Sequence, residues 1–166
     1  MQNSTNYTLF QRCIRFLPNL ITLGNVFCGF NAIILSAENQ PRNAALSILM
    51  GGVLDAMDGR LARYLNCTSE LGLQLDSLAD AFSFVVAPAV LCTLLSKQFV
   101  KDELQNRLNF YGCAFYVLAG IYRVARYNVI VSTQSKFFLG VPTPITGCFL
   151  ALLVLRFNFT SFIHCI

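Results

Sequence analysis

The chain has 166 residues, of which 55% are hydrophobic and only 12% are charged, and its formal net charge at pH 7 is +4. The apolar fraction lies well above that of a soluble domain, and the sequence contains no disordered or low-complexity tract. The aromatic residues lie in apolar runs, so there is no basic, aromatic-interleaved surface of the kind that binds nucleic acid, and anionic membrane lipids suffice to explain the positive charge.

The first predicted membrane helix follows about eleven polar residues, which we expect to form a frayed or interfacial tail. The segment FLPNLITLGNVFCGFNAIILSA supplies about 20 residues, enough to span a bilayer, with Pro18 in its first turn. It has no small-residue cleavage site, so we interpret it as a membrane helix and not as a signal peptide. Asn19, Thr22 and Asn25 recur at helical spacing and should face protein, either for hydrogen bonds between helices or for contact with a ligand.

The second predicted helix runs from about Ala44 to Leu65, and its second half carries two aspartates. At about 100° per residue, Asp55 and Asp58 project on the same side of this helix. Gly59 and Ala62 are small residues on that side. They leave room for a bulky group against the helix backbone, although small residues serve plain helix packing equally well.

The third predicted helix, from about Leu71 to Leu95, carries two more aspartates within its first third. Asp76 and Asp80 are four residues apart and share a side with Gly72. A short turn returns them to the membrane face at which the second helix ends. Further along, Pro88 predicts a kink in the apolar half.

Four of the eight acidic side chains therefore converge from two helices. Like charges in a low-dielectric environment repel and are costly to desolvate, and ionisable groups within membrane helices tend to mark functional sites. Divalent cations such as Mg²⁺, Ca²⁺ or Mn²⁺ relieve that repulsion, because carboxylate oxygens suit hard ions. A Mg²⁺ site usually combines a few carboxylates with substrate phosphates, so the cluster indicates phosphate chemistry.

Two more helices complete the predicted architecture. The hydrophilic stretch SKQFVKDELQNR forms a loop, the fourth helix runs from about Leu108 to Ile130 and ends in RVARYN, and the fifth begins at Pro142. Seven cysteines occur singly without CxxC spacing, which predicts small apolar side chains rather than metal ligands or disulfides. The sequence thus predicts an all-α, polytopic transmembrane helix bundle with about five spans, in a single domain of residues 1–166.

The distribution of basic residues predicts the orientation in the membrane. With the N-terminus inside, seven basic residues lie on inner segments: Arg12, Arg15, Arg60, Arg63, Arg123, Arg126 and Lys136. Four lie outside: Arg42, Lys97, Lys101 and Arg107. The positive-inside rule favours this topology, although three basic residues in the third loop weaken the bias. All four aspartates then meet at the cytoplasmic side.

The acidic region resembles the signature of the CDP-alcohol phosphatidyltransferase family at all eight fixed positions. These are Asp55, Asp58, Gly59, Ala62, Arg63, Gly72, Asp76 and Asp80, spaced over 26 residues. Three further segments resemble its bacterial-type phosphatidylserine synthase branch, namely NLITLGNVFCGFNAI, RVARYNV and FLGVPTPITG. Together the resemblance spans most of the chain.

The resemblance implies a reaction and a setting. It implies transfer of the phosphatidyl group from CDP-diacylglycerol to the hydroxyl of L-serine, with release of CMP and dependence on Mg²⁺ or Mn²⁺, two ions per site. It implies a homodimer in the inner membrane of a bacterium, with the active site facing the cytoplasm. The family normally has a sixth span, so we expect either a naturally short C-terminus or a truncated chain.

The resemblance also implies residue roles. The metal ligands are Asp55, Asp58, Asp76 and Asp80, and Asp80 is also the base that accepts the serine proton. The CDP-diacylglycerol site is formed by Thr22, Asn25, Gly59, Ala62, Arg63 and Gly72. The candidates for the serine carboxylate or the lipid phosphate are Arg123, Arg126 and Lys136, which serve equally well as topology signals and snorkelling anchors.

Three alternatives stay open at this point. A sibling enzyme with the same donor but with glycerol 3-phosphate or inositol phosphate as acceptor shares the acidic motif, and RVARYN and FLGVPTPITG favour serine. A small ion transporter could use the carboxylates as cation or proton sites, but it does not need the Gly59, Ala62 and Arg63 spacing. An inactive relative should have lost at least one aspartate, and all four are present.

Overall fold

The computed structural model describes the backbone of residues 3–65, 69–100, 102–132 and 143–164, and the side chains of 17–65, 69–100, 102–129 and 143–156. Regular structure in these residues is entirely helical. The elements are α1 (Asn3–Ala37), α2 (Pro41–Tyr64), α3 (Glu70–Asp80), a π-helical segment (Ala81–Val86), α4 (Ala87–Phe99), α5 (Glu103–Ser132) and α6 (Thr143–His164). Residues 70–99 continue without a break, and we call them the central rod. The predicted all-α bundle with five long helices is confirmed.

The turn between α1 and α2 is short and makes these helices antiparallel. Asn39 has a positive φ of 60°, in the left-handed region that asparagine tolerates. The N–H of Gln40 donates to the Leu35 carbonyl at 2.9 Å and that of Asn39 to the Ser36 carbonyl at 3.2 Å. This pattern is a Schellman motif, which satisfies carbonyls at the helix end. Pro41 then begins α2, where its missing N–H has no cost.

The central rod begins at a side-chain cap. Ser69 is the N-cap of α3, and its Oγ accepts a hydrogen bond from the Gly72 N–H at 3.0 Å. The rod runs parallel to α1, because Gly72 lies beside Asn19 and Ser83 lies beside Gly29. Residue numbers therefore increase in the same direction along α1 and along the rod.

Helices α5 and α6 pack on the other sides of the rod. α5 is antiparallel to it, since Asn128 lies at Ser77 whereas Tyr116 lies at Phe84. α6 packs against the same part of the rod through Gly147, which faces Phe84. The N-terminal halves of α1, the rod and α6 and the C-terminal halves of α2 and α5 therefore share one end of the bundle.

Apolar side chains fill the half of the bundle nearer the α1–α2 turn. The buried cluster comprises Ala32, Ala44, Ala45, Ile48, Phe84, Ala87, Leu91, Ala151 and Val154. Many of these are alanines, so the helices approach closely and bury their backbones against one another. The aspartates of α2 and α3 lie in the other half, beyond this core.

Three helices pack closely against the π-helical segment, and each contacts it through a glycine. A Cβ on any of these glycines would come within 2.5 to 2.7 Å of the segment. They are Gly29 of α1, Gly120 of α5 and Gly147 of α6, which face Ser83, Val85 and Phe84 respectively. The position of the rod is therefore set by close contacts at these glycines, which leave no room for a larger side chain.

The predicted kink at Pro88 takes the form of a π-helical turn. Pro88 is the second residue of α4 and has no N–H to donate to the carbonyl four residues earlier. In the turn before it, the Ala87 N–H donates to the Phe82 carbonyl, five residues earlier. The rod accommodates the proline by widening its hydrogen-bond pattern.

Two details of α1 differ from the prediction. The polar stretch expected to be a frayed or interfacial tail is helical from Asn3 onward, as a continuation of α1. Pro18 consequently lies inside the helix and not in its first turn. Sequence patterns mark a helix start poorly when a polar helical turn precedes the apolar segment.

Two helical stretches in the described residues are long and apolar enough to cross a bilayer, Leu17–Ala37 and Glu70–Phe99. Thr143–Arg156 is a shorter apolar helix. α2 and α5 fall outside this criterion. Each carries several charged residues, among them Asp55 and Asp58 in α2 and Arg123 in α5.

A glycine pair tests the packing of the rod. The Gly147→Ala substitution places a Cβ 2.7 Å from Phe84 Cα, a backbone atom that cannot move aside, so we expect a stability loss of about 1–3 kcal/mol. Gly112→Ala in α5 is the matched control, because no described atom lies within 4 Å of its Cβ position. That change should stabilise slightly through helix propensity. Thermal unfolding in detergent distinguishes them, and equal Tm values would contradict this account.

Candidate functional site

Three aspartates bring carboxylate oxygens together between α2 and α3. Asp55, Asp76 and Asp80 each contribute one oxygen, and these atoms lie within 4.8 Å of one another. All three side chains are partly buried, and the carboxyl groups of Asp55 and Asp80 are adjacent. Such a group of oxygens has the composition of a hard-cation site and could hold a metal ion.

The fourth aspartate lies beside this group, on the wall of a cavity. Asp58 is 3% exposed, with Asp55 and Asp76 nearby and the Thr22 hydroxyl next to its carboxylate. Within the described part of the chain, Asp58 Oδ2 and Asp80 Oδ1 are buried and have no hydrogen-bond partner. Buried polar atoms are normally satisfied, so these two oxygens fit a cation supplied from outside the chain.

The cavity adjoins the carboxylates and has a volume of about 190 Å³. It is formed by α1, the end of α2 and the start of α3. Its walls are Pro18, Asn19, Thr22, Asp58, Gly59, Ala62, Arg63, Ser69, Gly72, Leu73 and Asp76. Carboxylates thus lie at one side of a space that also offers a guanidinium, hydroxyls and small residues.

Small residues keep this space open. No described atom lies within 4 Å of the position that a Cβ on Gly59 would take. Gly72 has closer neighbours, since its Cβ would be 3.1 Å from both Asn19 Oδ1 and Ser69 Oγ. Gly59 and Ala62 therefore expose one side of α2 to the cavity.

Arg63 has a fixed place at the cavity wall. Its Nε donates to the Gly59 carbonyl at 2.9 Å, one helical turn earlier. This bond holds the guanidinium back along α2 toward Gly59, and Arg63 lines the cavity there. A guanidinium held in this way can bind phosphate oxygens through two parallel hydrogen bonds.

The polar stripe of α1 faces protein, as predicted. Thr22 is 4% exposed and donates to the Pro18 carbonyl at 3.0 Å, and it lines the cavity. Asn25 is fully buried and lies deeper, against Gly51 of α2. Neither polar atom of the Asn25 side chain has a hydrogen-bond partner among the described residues. Its backbone carbonyl accepts from Ser83 Oγ at 3.0 Å.

The end of α5 reaches the rod next to the aspartates. Asn128 Oδ1 lies 2.8 Å from Ser77 Oγ, and Ser77 follows Asp76 directly. Arg123 is partly buried, whereas Arg126 is exposed. Lys136 lies outside the described residues, so its predicted role stays a prediction.

Sequence reasoning missed several contributors. Ser69 and Leu73 line the cavity. A serine directly before the helix favours an N-cap, but it gives no sign that Ser69 also faces the cavity. Asn128 closes the RVARYN segment, in which only the arginines were singled out. Tyr116, whose hydroxyl donates to the Phe84 carbonyl at 3.0 Å, has no signal in a single sequence.

Comparison with known proteins agrees with this geometry. The sequence model of the CDP-alcohol phosphatidyltransferase family matches residues 15–166. Three similar curated proteins are each named CDP-diacylglycerol–serine O-phosphatidyltransferase. The chain is 33% identical to the one from Helicobacter pylori over 89% of its own length, 35% identical to the one from Bacillus subtilis over 87%, and 36% identical to the one from Saccharomyces cerevisiae over 78%.

The aligned region covers different shares of these relatives, 60% of the H. pylori protein, 78% of the B. subtilis protein and 50% of the S. cerevisiae protein. All the aspartates of the cluster and the residues of the cavity lie within the matched residues 15–166. Apolar helices in the bundle and a family match over nine-tenths of its length make this chain a membrane protein that belongs to the CDP-alcohol phosphatidyltransferase family.

Proposed function

We propose that this protein transfers the phosphatidyl group of CDP-diacylglycerol to the hydroxyl of L-serine, giving phosphatidylserine and CMP. The observation that carries the proposal is the carboxylate group of Asp55, Asp76 and Asp80 beside an open cavity. The relatives' names supply the acceptor, because three of them are serine transferases. The phosphatidyltransferase family supplies the donor class.

The carboxylates fit a divalent ion. We infer that this ion is Mg²⁺ or Mn²⁺ and that a second ion of the same kind shares the site. Asp55, Asp58, Asp76 and Asp80 would hold them, and the two unpartnered oxygens on Asp58 and Asp80 are available as ligands. When bound, such an ion supplies positive charge against the diphosphate of the donor and against the charge that develops during transfer.

The cavity residues bind and orient the donor. Gly59 and Ala62 let the nucleotide or its diphosphate lie against the α2 backbone, and Gly72 does the same at the start of α3. Arg63 pairs with phosphate oxygens. Thr22 supplies a polar contact from α1 at the cavity wall. Asn25 lies deeper than the wall, and we assign it to the donor site because its buried amide atoms have no partner among the described residues.

Asp80 is our candidate for the group that accepts the serine proton. A serine hydroxyl is a poor nucleophile at neutral pH, so a base within reach of the hydroxyl must take its proton. The Oδ1 atom of Asp80 is buried and has no partner in the described part of the chain. An oxygen uncommitted to the protein can accept that proton.

The acceptor site is proposed at the end of α5. Arg123 and Arg126, with Lys136, would bind the serine carboxylate or the lipid phosphate. Arg123 is the better placed of the two arginines, because it is partly buried whereas Arg126 is exposed. The link between Asn128 and Ser77 brings this part of α5 beside Asp76.

The setting follows from the same proposal. A single membrane domain of residues 1–166 places the carboxylates at the end of the bundle where α2 and α5 finish with arginines. The positive-inside rule favours the cytoplasmic face for the site. The resemblance to the bacterial-type branch of the family is our basis for a bacterial inner membrane. We infer a homodimer from the family.

Two other activities would need a different acceptor or a different kind of site. A sibling transferase would use glycerol 3-phosphate or inositol phosphate with the same carboxylates. An ion transporter would use the cluster as a cation site, but it has no need for the cavity that Gly59 and Ala62 leave open.

Purified protein in detergent should release CMP from CDP-diacylglycerol when L-serine and Mg²⁺ or Mn²⁺ are present. Release should be lost in Asp80→Asn, which keeps the shape of the side chain and removes its basicity. Glycerol 3-phosphate, inositol phosphate and no acceptor are run in parallel. Release with one of the other acceptors would move the protein to a sibling activity, and no release from folded protein would leave the cation-transport alternative.

Mn²⁺ binding, followed by electron paramagnetic resonance without substrate, should weaken by more than about tenfold in Asp76→Asn. The loss of one carboxylate removes both a ligand and a negative charge from the cluster. Asp102→Asn is the matched control, because Asp102 is exposed and its Oδ1 accepts from the Leu104 N–H. Equal Mn²⁺ affinities in the two variants would place the ion elsewhere.

Filling the cavity should abolish transfer without unfolding the protein. The Gly59→Leu side chain enters open space, so we expect most CMP release to be lost while Tm stays equal or rises, since leucine favours a helix by up to ~1 kcal/mol over glycine. Gly112→Leu is a second helical glycine with open surroundings and should leave release unchanged. Full activity of the Gly59 variant would show that the donor binds outside this cavity.

A further inference from the structure

One hydrogen bond in the bundle connects α5 to the backbone of the central rod. The Tyr116 hydroxyl donates to the Phe84 carbonyl at 3.0 Å. In a continuous α-helix, that carbonyl would accept from the N–H four residues later. Position 88 is a proline, so this donor does not exist. A side chain of a neighbouring helix supplies the donor that the rod lacks.

The geometry around the hydroxyl favours this direction of donation. Thr146 of α6 lies within hydrogen-bonding reach of the Tyr116 hydroxyl, and its own Oγ1 donates to the Thr143 carbonyl at 2.8 Å. The Thr146 proton is thus already used. The phenol proton goes to the carbonyl of buried Phe84, which Pro88 deprives of its α-helical donor.

The affected turn adjoins the carboxylate cluster. Asp80 is the last residue of α3, and the π-helical segment begins at Ala81. The turn that contains Phe84 is in contact with α1, α5 and α6 through glycines, so it has little freedom to relax sideways. A change in its hydrogen bonding is therefore passed along the backbone to Asp80.

We propose that Tyr116 is a positioning residue for the metal cluster: its bond to the Phe84 carbonyl holds the π-helical turn and so fixes the direction in which Asp80 enters the cluster. The proposal rests on the proposed function in taking Asp55, Asp76 and Asp80 as a divalent metal site. Tyr116 itself is neither in the carboxylate group nor among the residues that line the cavity. π-helical turns in proteins frequently occur at functional sites, and this one borders a metal ligand.

The test measures Mn²⁺ binding by electron paramagnetic resonance, without substrate, in the full chain. Tyr116→Phe removes the hydroxyl and keeps the ring, and we expect Mn²⁺ affinity to fall by about fivefold, the effect of one lost hydrogen bond. Tyr122→Phe, on the exposed side of the same helix, is the control and should bind as the wild type does. The double variant Tyr116→Phe with Pro88→Ala regains a backbone donor for the Phe84 carbonyl. Its Mn²⁺ affinity should return to within about twofold of the wild type.

The possible results separate the role of Tyr116 from the proposed reaction and the metal centre. Unchanged Mn²⁺ affinity in Tyr116→Phe overturns the proposal, and so does a loss that Pro88→Ala fails to restore, because the effect would then not pass through the Phe84 carbonyl. A wild-type protein that binds Mn²⁺ but transfers nothing overturns the proposed reaction and leaves the role of Tyr116 intact. A wild-type protein that binds no Mn²⁺ overturns the metal centre and this proposal with it.

Discussion

Repulsion among carboxylates inside an apolar bundle is the constraint on which the rest of this structure depends. Asp55, Asp76 and Asp80 bring oxygens within 4.8 Å of one another in a partly buried position. Charges in such surroundings need compensation, and none of the basic side chains is seen paired with these carboxylates in the described part of the chain, whereas Arg107 pairs with Glu103 on the exposed surface. The proposed divalent ion would supply that compensation from solution, and its binding would then be linked to the folding of this region.

Because of this repulsion, packing must hold α2 and α3 close together at the point where the charges of their aspartates would push them apart. The packing on the rod provides the opposing force, because Gly29, Gly120 and Gly147 let three helices approach the π-helical segment closely. The apolar core lies in the half of the bundle next to the α1–α2 turn, away from the aspartates. The apolar core and the carboxylate cluster thus lie in different halves of the bundle, and the π-helical segment that adjoins Asp80 connects the two halves.

The sequence predicted those features that follow from helical periodicity and residue chemistry. The spacing of Asp55 with Asp58 on one helix, and of Asp76 with Asp80 on the next, predicted that carboxylates would converge. The stripe containing Thr22 predicted a side that faces protein, because burial of polar groups leaves a periodic trace. The extension of α1 back to Asn3 left no such trace. Polar residues before an apolar run fit a helix and a tail equally well.

The π-helical turn shows a second kind of limit. Pro88 predicts a disturbance, but its form depends on which neighbour can donate to the Phe84 carbonyl, and Tyr116 is 32 residues away from Phe84 along the chain. An alanine at position 88 would have kept that hydrogen bond within the rod. The proline transfers it to the contact with α5, whose Asn128 meets the rod at Ser77, on the other side of Asp80. Two polar contacts from one helix therefore bracket Asp80, so the position of α5 and the geometry of the carboxylates are coupled.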